Sequence, residues 1–247
     1  RSRPSSKILI AYGAVTAIED LSFTVEPGTI TGLLGGNGAG KTTTLAILLG
    51  VLLPTAGEAY VLGVDILKHR YRVLPRMNFG SPYVELPKRL TVRENLRVFA
   101  QLYGVAKPRR RIETLAENLQ MGEFLDRPTG TLSAGQKTRA SLAKALVNEP
   151  EVLLLDEPTA SLDPDTGDWV RSYLERYVAE RKATILLASH NMSEVERLCS
   201  MVLMMKAGRM VDHGTPADLL RKYGRHNLEE VFLDIARNRG ERKEAAE

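Results

Sequence analysis

The sequence predicts an α/β fold whose core is interrupted by an all-helical insertion. Two apolar runs that end in polar residues, VLLLDEP at 152–158 and TILLASH at 184–190, are typical of parallel strands buried on both faces. Between residues 91 and 147, in contrast, apolar residues recur at helical spacing and no strand pattern appears. This change of pattern indicates a separate helical segment within the core.

Residues 17–34 are predicted to form strands. The apolar positions of IEDLSFTVEPG alternate up to a Pro-Gly turn, and TITGLLG follows as a buried strand. The next segment has the apolar residues of a helix and stops at Gly50. Later in the chain, MVLMMKAGRMVDHG predicts a hairpin that turns at Ala207 and Gly208. The core is therefore expected to include an antiparallel β subdomain.

The insertion is predicted to contain three helices. Thr91 and Glu94 form a capping box for the first helix, which continues to Gly104. The second helix stops at Gly122, and the third starts at Ser133.

Composition excludes several classes of protein. Apolar residues make up 43% and charged residues 26%, as in ordinary globular proteins, and no apolar run approaches the ~20 residues that cross a bilayer. The net charge of +4 is too small and too evenly spread to indicate nucleic-acid binding. One cysteine, Cys199, cannot form an internal disulfide, which suits a reducing compartment.

A phosphate-binding motif lies between a predicted strand and a predicted helix. GGNGAGKT at residues 35–42 matches G-x-x-x-x-G-K-[ST], in which backbone N–H groups surround phosphates. The lysine reaches the outer phosphates and the hydroxyl that follows it is a ligand for Mg²⁺. The sequence thus predicts a P-loop NTPase core whose nucleotide-binding residues are Gly35, Gly36, Asn37, Gly38, Ala39, Gly40, Lys41, Thr42 and Thr43.

Polar residues at the ends of the two buried strands are candidates for the chemistry. Asp156 ends the first strand, at the edge where ligands bind in such sheets, and is predicted to hold Mg²⁺ together with Thr42. Glu157 comes next and is predicted to polarise the attacking water. His190 ends the other strand. Three roles are open for it: contact with the terminal phosphate, orientation of Glu157, or a hydrogen bond to a local backbone group.

A second helix start resembles an anion site. Ser133 and Gln136 form a capping box in LSAGQ, which explains these two residues. It does not explain Gly135, because glycine weakens a first helical turn unless another group must come close. A phosphate that approaches the backbone is such a group.

These motifs together resemble the ATP-binding subunits of ABC transporters. Four motifs occur in the order and near the spacing of that family, over about residues 7–212: GGNGAGKTT, LSAGQ, LLLDEPTASLD, and SH at residues 189 and 190. The resemblance implies that two ATP molecules lie between two such chains. Each would be held by the P-loop of one chain and by the family's LSGGQ signature, here LSAGQ at residues 132–136, of the other. It also implies that Tyr12 stacks on adenine and that SLD at 161–163 links the two sites.

The resemblance further implies partners, a location and domains. The chain would dimerise with itself or a closely similar ATPase chain and bind an integral membrane permease subunit, at the cytoplasmic face of the membrane. NLEEVFLDIAR at 227–237 resembles the ABC-2 export branch, including the daunorubicin-resistance type, although an ordinary amphipathic helix gives the same pattern. The ATPase domain is expected over residues 7–222, with the insertion at about 83–147, and a C-terminal helical extension and polar tail over 223–247.

Three residues depart from the family pattern. Gly36 replaces the usual Pro or Ser, and Ala134 replaces the first glycine of LSGGQ. RMNFGSPYVELPKRLT lacks the glutamine that the family places a few residues before LT as a metal ligand. We expect Ser81 to lie near the metal instead, and residues 83–86 either to touch the membrane subunit or to pack against the helices.

Two other functions are compatible with the motifs. Soluble ABC-type ATPases act in repair or translation, but they usually carry long coiled coils or two cassettes, which the sequence lacks. An ATP-dependent clamp that barely hydrolyses ATP fits the missing glutamine but not the intact Glu157 and His190.

Overall fold

The computed structural model describes residues 8–12, 15–160 and 162–235. The described residues form two compact units, one from those up to 70 and from 186 onward and the other from those between 71 and 185. The predicted polar tail and Ser161 of the SLD motif lie outside the described residues.

The first unit contains the antiparallel strands that the sequence predicts. A small sheet has the order β2-β1-β4, with β1 (Ile8–Tyr12), β2 (Val15–Leu21) and β4 (Ala56–Gly57) all antiparallel. The hairpin of β10 (Met201–Lys206) and β11 (Arg209–Gly214) turns at Ala207 and Gly208, which both have positive φ, as predicted.

Parallel strands form the buried part of this unit. β3 (Ile30–Leu34) is buried along its whole length and runs parallel to β10, and β9 (Thr184–Ser189) is its other neighbour. The unit also contains a short hairpin and several helices: β5 (Tyr60–Val61), β6 (Val64–Asp65), α1 (Lys41–Leu48), α2 (Ile66–His69), α7 (Met192–Leu198), α8 (Pro216–Tyr223) and a helical segment over residues 228–235.

The second unit places helices around two parallel strands. β7 (Met77–Gly80) and β8 (Val152–Asp156) pair in parallel, with Gly80 opposite Leu155. The helices are α3 (Val92–Leu102), α4 (Pro108–Asn118), α5 (Ala134–Leu146) and α6 (Pro164–Arg181). Short 3-10 turns occupy Arg70–Arg72, Leu74–Arg76, Gly122–Phe124 and Thr129–Thr131.

The helical insertion matches its sequence signals closely. Residues 91–147 are all described and contain no strand beyond an isolated bridge between Thr91 and Pro128. Both hydrogen bonds of the predicted capping box form at the start of α3. The second helix ends at Asn118 rather than at Gly122, because the chain already turns at Gln120, whose φ is 51°. Pairs of α3 with α4 and with α5 hold the insertion together.

The strand predicted over IEDLSFTV is wrong in its second half. β2 ends at Leu21, and residues 22–26 are irregular. Asp20 adopts a φ of 52°, and the pairing register with β1 shifts between Ile8 and Ile10. An extra residue of this kind is a β-bulge, and it ends the alternation that the apolar pattern implied.

Candidate functional site

The glycine-rich loop between β3 and α1 is closed by its own lysine. Lys41 is buried, and its Nζ donates hydrogen bonds to the carbonyls of Gly35 at 2.6 Å and Gly36 at 3.3 Å. Gly40 is the N-cap of α1 with φ of 99°, a conformation that other residues rarely adopt. The lysine head is therefore held directly beside the backbone that would surround phosphates.

The first turn of α1 is suited to an anion. It contains no acidic residue, and its N-cap carries no side chain that could cap it. Thr42 is exposed, whereas the hydroxyl of Thr44 donates to the carbonyl of Gly40 at 2.9 Å within the helix. Because a helix start carries partial positive charge and N–H groups, this end of α1 favours phosphate.

Close packing fixes one glycine of the loop but leaves another with space. A Cβ on Gly35 would lie 2.6 Å from the carbonyl oxygen of Met205, so a side chain cannot fit there. On Gly36 the nearest atom to a Cβ would be Cζ of Phe232 at 3.9 Å. A side chain at Gly36 is thus tolerated, and its departure from the family pattern has no steric cause in this unit.

Two buried carboxylates follow β8. Asp156 is 6% exposed and Glu157 is 8% exposed. Glu157 has a φ of 52°, which costs about 1–2 kcal/mol for a residue other than glycine. Strain of this kind persists only where the surroundings hold the residue, and it is common at functional sites.

Ser81 and Asp156 leave the sheet at the same edge. They are the next residues after Gly80 and Leu155, which are partners in the parallel register of β7 and β8. Ser81 is buried, and its Oγ accepts a hydrogen bond from the backbone N–H of Tyr83 at 3.3 Å. The register therefore places Ser81, which we expect near the metal, beside the predicted metal ligand Asp156.

The start of α5, the second candidate anion site, has the capping box that the sequence predicts. Gln136 N donates to Ser133 Oγ at 3.3 Å, and Ser133 N donates to Gln136 Oε1 at 3.1 Å. A Cβ on Gly135 would lie 3.4 Å from Thr166 Oγ1, which is an ordinary contact. Nothing within this unit therefore requires glycine at position 135.

His190 is exposed immediately after β9, on a turn that is fixed by buried polar groups. Ser189 Oγ donates to Glu194 Oε2 at 2.8 Å and accepts from Asn191 N at 3.0 Å. The side chain of Asn191 also caps α7 by accepting from Glu194 N. Sequence reasoning missed Glu194, although a carboxylate four residues after His190 at a helix start is a visible signal.

Two predicted elements are described only in part. The backbone of Tyr12 ends β1, but its side chain lies outside the described residues. In the SLD motif, Asp163 accepts a hydrogen bond from Thr166 N at 2.9 Å and is the N-cap of α6. This backbone hydrogen bond holds the pKa of Asp163 below its usual value.

Comparison with known proteins decides the family. The model of the ABC transporter family matches residues 18–160, which is more than half of the 247 residues. The chain belongs to the ABC transporter family. It is an ATPase subunit of that family, as the sequence motifs predict.

Relatives and a solved structure support the assignment over nearly the whole chain. The chain is 38% identical to Nod factor export ATP-binding protein I of Ralstonia nicotianae, over 90% of this chain and 70% of the relative. It is 35% identical to the ABC transporter ATP-binding protein NatA of Bacillus subtilis, over 89% of this chain and 90% of the relative. A solved ATP-binding subunit of an ABC transporter superposes with a TM-score of 0.82 at 26% identity, covering 94% of this chain and 100% of that one. The predicted fold class is confirmed.

The ABC ATPase presents an apolar groove beside Ser81. Tyr83 is 69% exposed and Val84 is 51% exposed, so neither is buried among the helices of its unit. The groove has a volume of about 220 Å³ and is formed by residues 82–88 together with α5 and Leu162. Lys88 and Glu85 form an ion pair of 2.8 Å on its rim.

Two side chains of the signature helix α5 hold the loop that carries Ser81. Ser141 Oγ donates to the carbonyl of Ser81 at 3.4 Å, and Lys144 Nζ donates to the carbonyl of Phe79 at 2.9 Å. Burial lowers the pKa of Lys144. These two residues are one turn apart on α5, and sequence reasoning missed both of them. No helix in the part of the ABC ATPase that the structure describes has both the length and the apolar character of a membrane span.

Proposed function

We propose that Lys41, Asp156 and Glu157 act on one ATP molecule, with Lys41 on the outer phosphates and Glu157 polarising the attacking water. The observation that carries this proposal is the closed P-loop, where the Lys41 ammonium already lies within 2.6 Å of the loop backbone. A carboxylate such as Glu157 can accept a proton from the attacking water.

The donors fit Mg²⁺ as the cofactor of ATP. Thr42 provides a hydroxyl, Asp156 a carboxylate and Ser81 a further hydroxyl, and oxygen ligands of this kind are those that Mg²⁺ prefers. Among the described residues no group of three or more His, Cys, Asp or Glu side chains forms a metal cage. Mg²⁺ keeps several waters and binds through few carboxylates and the substrate phosphates. When bound, it would neutralise charge on the phosphates.

The remaining nucleotide contacts come from Tyr12 and His190. Tyr12 would stack on adenine, as the family resemblance implies. The exposed His190 would contact the terminal phosphate, with Ser189 and Glu194 fixing the turn that carries it.

We propose a dimer that shares two ATP molecules. The support is Gly135, which its own unit does not require and which follows the exposed residues Ser133 and Ala134 at the start of α5. A phosphate of the partner's ATP is a group that would need the approach that glycine permits. The dimer would form between two copies or with a closely similar chain.

The membrane partner would be a separate permease subunit that binds the groove next to Ser81. Exposed Tyr83 and Val84 form an apolar edge of the kind that marks a protein contact. Because α5 holds the same loop, a partner in the groove would be connected to the signature helix. The ABC ATPase would then act in export from the cytoplasmic face of the membrane. Its ATPase domain would span residues 7–222, with 223–247 as a C-terminal extension.

Glu157→Gln tests the catalytic assignment. An amide cannot accept the proton of the attacking water, so we expect ATPase activity to fall by at least about 100-fold while ATP binding persists. Trapped Mg-ATP should hold two chains together in size-exclusion chromatography, since ligand that binds only the dimer stabilises it. Glu151→Gln is the matched control, because Glu151 lies at the other end of β8 and pairs with Arg76 on the surface. Activity retained in Glu157→Gln, or a monomer at saturating ATP, would contradict the proposal.

A further inference from the structure

The proposed catalytic roles leave one sequence motif without a function, the C-terminal segment over residues 228–235. The segment is firmly packed, because Leu228 and Val231 are fully buried. Asn227 caps it, since its side-chain oxygen accepts a hydrogen bond from Glu230 N at 2.9 Å. A capped and packed helix of this kind is a fixed part of the unit that contains the P-loop.

Two distances place this segment beside the P-loop. Cζ of Phe232 lies 3.9 Å from the position that a Cβ would take on Gly36. Lys206 Nζ donates a long hydrogen bond of 3.5 Å to the carbonyl of Ile235. Lys206 directly follows Met205, whose carbonyl oxygen limits the space at Gly35. The end of β10 therefore touches both the P-loop and the C-terminal helix.

We propose that Phe232 is a positioning residue that supports the phosphate-binding loop from outside. A glycine-rich loop loses more conformational freedom than other segments when it orders around phosphates. The Phe232 ring bounds the space beside Gly36 and so limits how far the loop can move outward before the nucleotide arrives, which means that less freedom is lost on binding. This inference rests on the proposed role of the loop in binding ATP.

The first test compares neighbouring residues of one helix. Phe232→Ala removes the ring. Phe232→Leu keeps apolar volume for folding, but its shorter side chain does not reach as far toward Gly36. Leu233→Ala is the control, because Leu233 is 43% exposed and is not among the atoms near Gly36. We expect both Phe232 variants to bind ADP about fivefold more weakly by isothermal titration calorimetry, with Leu233→Ala unchanged. The KM for ATP should rise by a similar factor with kcat within about twofold, since only binding is affected.

The second test asks whether the ring acts through the loop. Gly36→Ala adds a methyl group in contact range of the ring, so its effect on ADP affinity should differ between the wild-type protein and the Phe232→Ala variant. Additive effects in this double-mutant cycle would overturn the inference, as would ADP affinity of the wild-type level in both Phe232 variants. Failure of the wild-type chain to bind ADP would instead overturn the proposed function of the loop, so the two failures are distinguishable.

Discussion

Replacing Gly135 by alanine separates a structural glycine from a functional one. If glycine is present because the chain's own fold needs it, the added methyl group should destabilise the protein. If it is present because a partner's phosphate approaches the backbone, the isolated chain should tolerate the methyl group and lose activity.

The structure gives the expected size of each effect. The new Cβ would lie 3.4 Å from Thr166 Oγ1 and 3.5 Å from Thr166 Cγ2, which are ordinary contacts, and the backbone is helical without positive φ. Alanine stabilises a helix relative to glycine by up to about 1 kcal/mol, which raises Tm by about 2–4 °C in a protein of this size. ATPase activity should fall about tenfold or more, because a methyl group at the closest approach displaces the phosphate from its donors.

Thermal unfolding of the nucleotide-free chain and steady-state ATPase activity measure the two effects. Gly122→Ala is the matched control, since a Cβ there meets nothing within 4 Å in the same unit, and both properties should stay near those of the wild type. A Gly135→Ala protein that loses more than about 1 kcal/mol of stability would show that the fold itself requires this glycine. Unchanged ATPase activity would refute the role in phosphate approach.

Three further predictions concern the P-loop and the groove. Lys41→Ala should abolish productive ATP binding, because the outer phosphates lose their cation, and unchanged affinity in a direct binding assay would remove the P-loop assignment. Ser81→Ala should lower ATPase activity only modestly, by about twofold to fivefold, since the hydroxyl is a weak ligand that water can replace; a loss as large as that of Glu157→Gln would show that Ser81 is essential. Tyr83→Ala should leave the ATPase activity of the isolated chain unchanged but weaken its stimulation by the membrane partner, and wild-type behaviour in both assays would exclude the groove as the contact.

Local signals predicted most of the helical insertion. The capping boxes at Thr91 and Ser133 depend on side chains only three residues apart, so the sequence contains all the information needed. The same holds for the turn at Gly208. Helix α6 was not predicted, although Asp163 and Pro164 are a strong N-cap and first-turn pair.

Pairing between strands that are distant in the sequence determines the features that the local residue pattern does not predict. The bulge at Asp20 depends on how β2 meets β1, and the short strands β4, β5 and β6 exist only through their partners. Likewise, the neighbourhood of Ser81 and Asp156 follows from the register of two strands that lie more than seventy residues apart in the sequence. The motifs indicated which residues are candidates for the chemistry, whereas the contacts of Lys144 and Phe232 join distant segments and could not be predicted from local pattern.

Complementation between two inactive variants tests the central claim, that each ATP is shared between two chains. Lys41→Ala damages a chain's own P-loop and leaves its signature intact, whereas Gly135→Asp keeps the P-loop and places a carboxylate where the partner's phosphate should approach. A mixed dimer then has one intact site and one doubly damaged site. We predict that mixing the two inactive proteins restores part of the wild-type ATPase activity, provided that one site can turn over alone. No recovery, with mixed dimers shown to form, would contradict the shared site and place the whole reaction within a single chain.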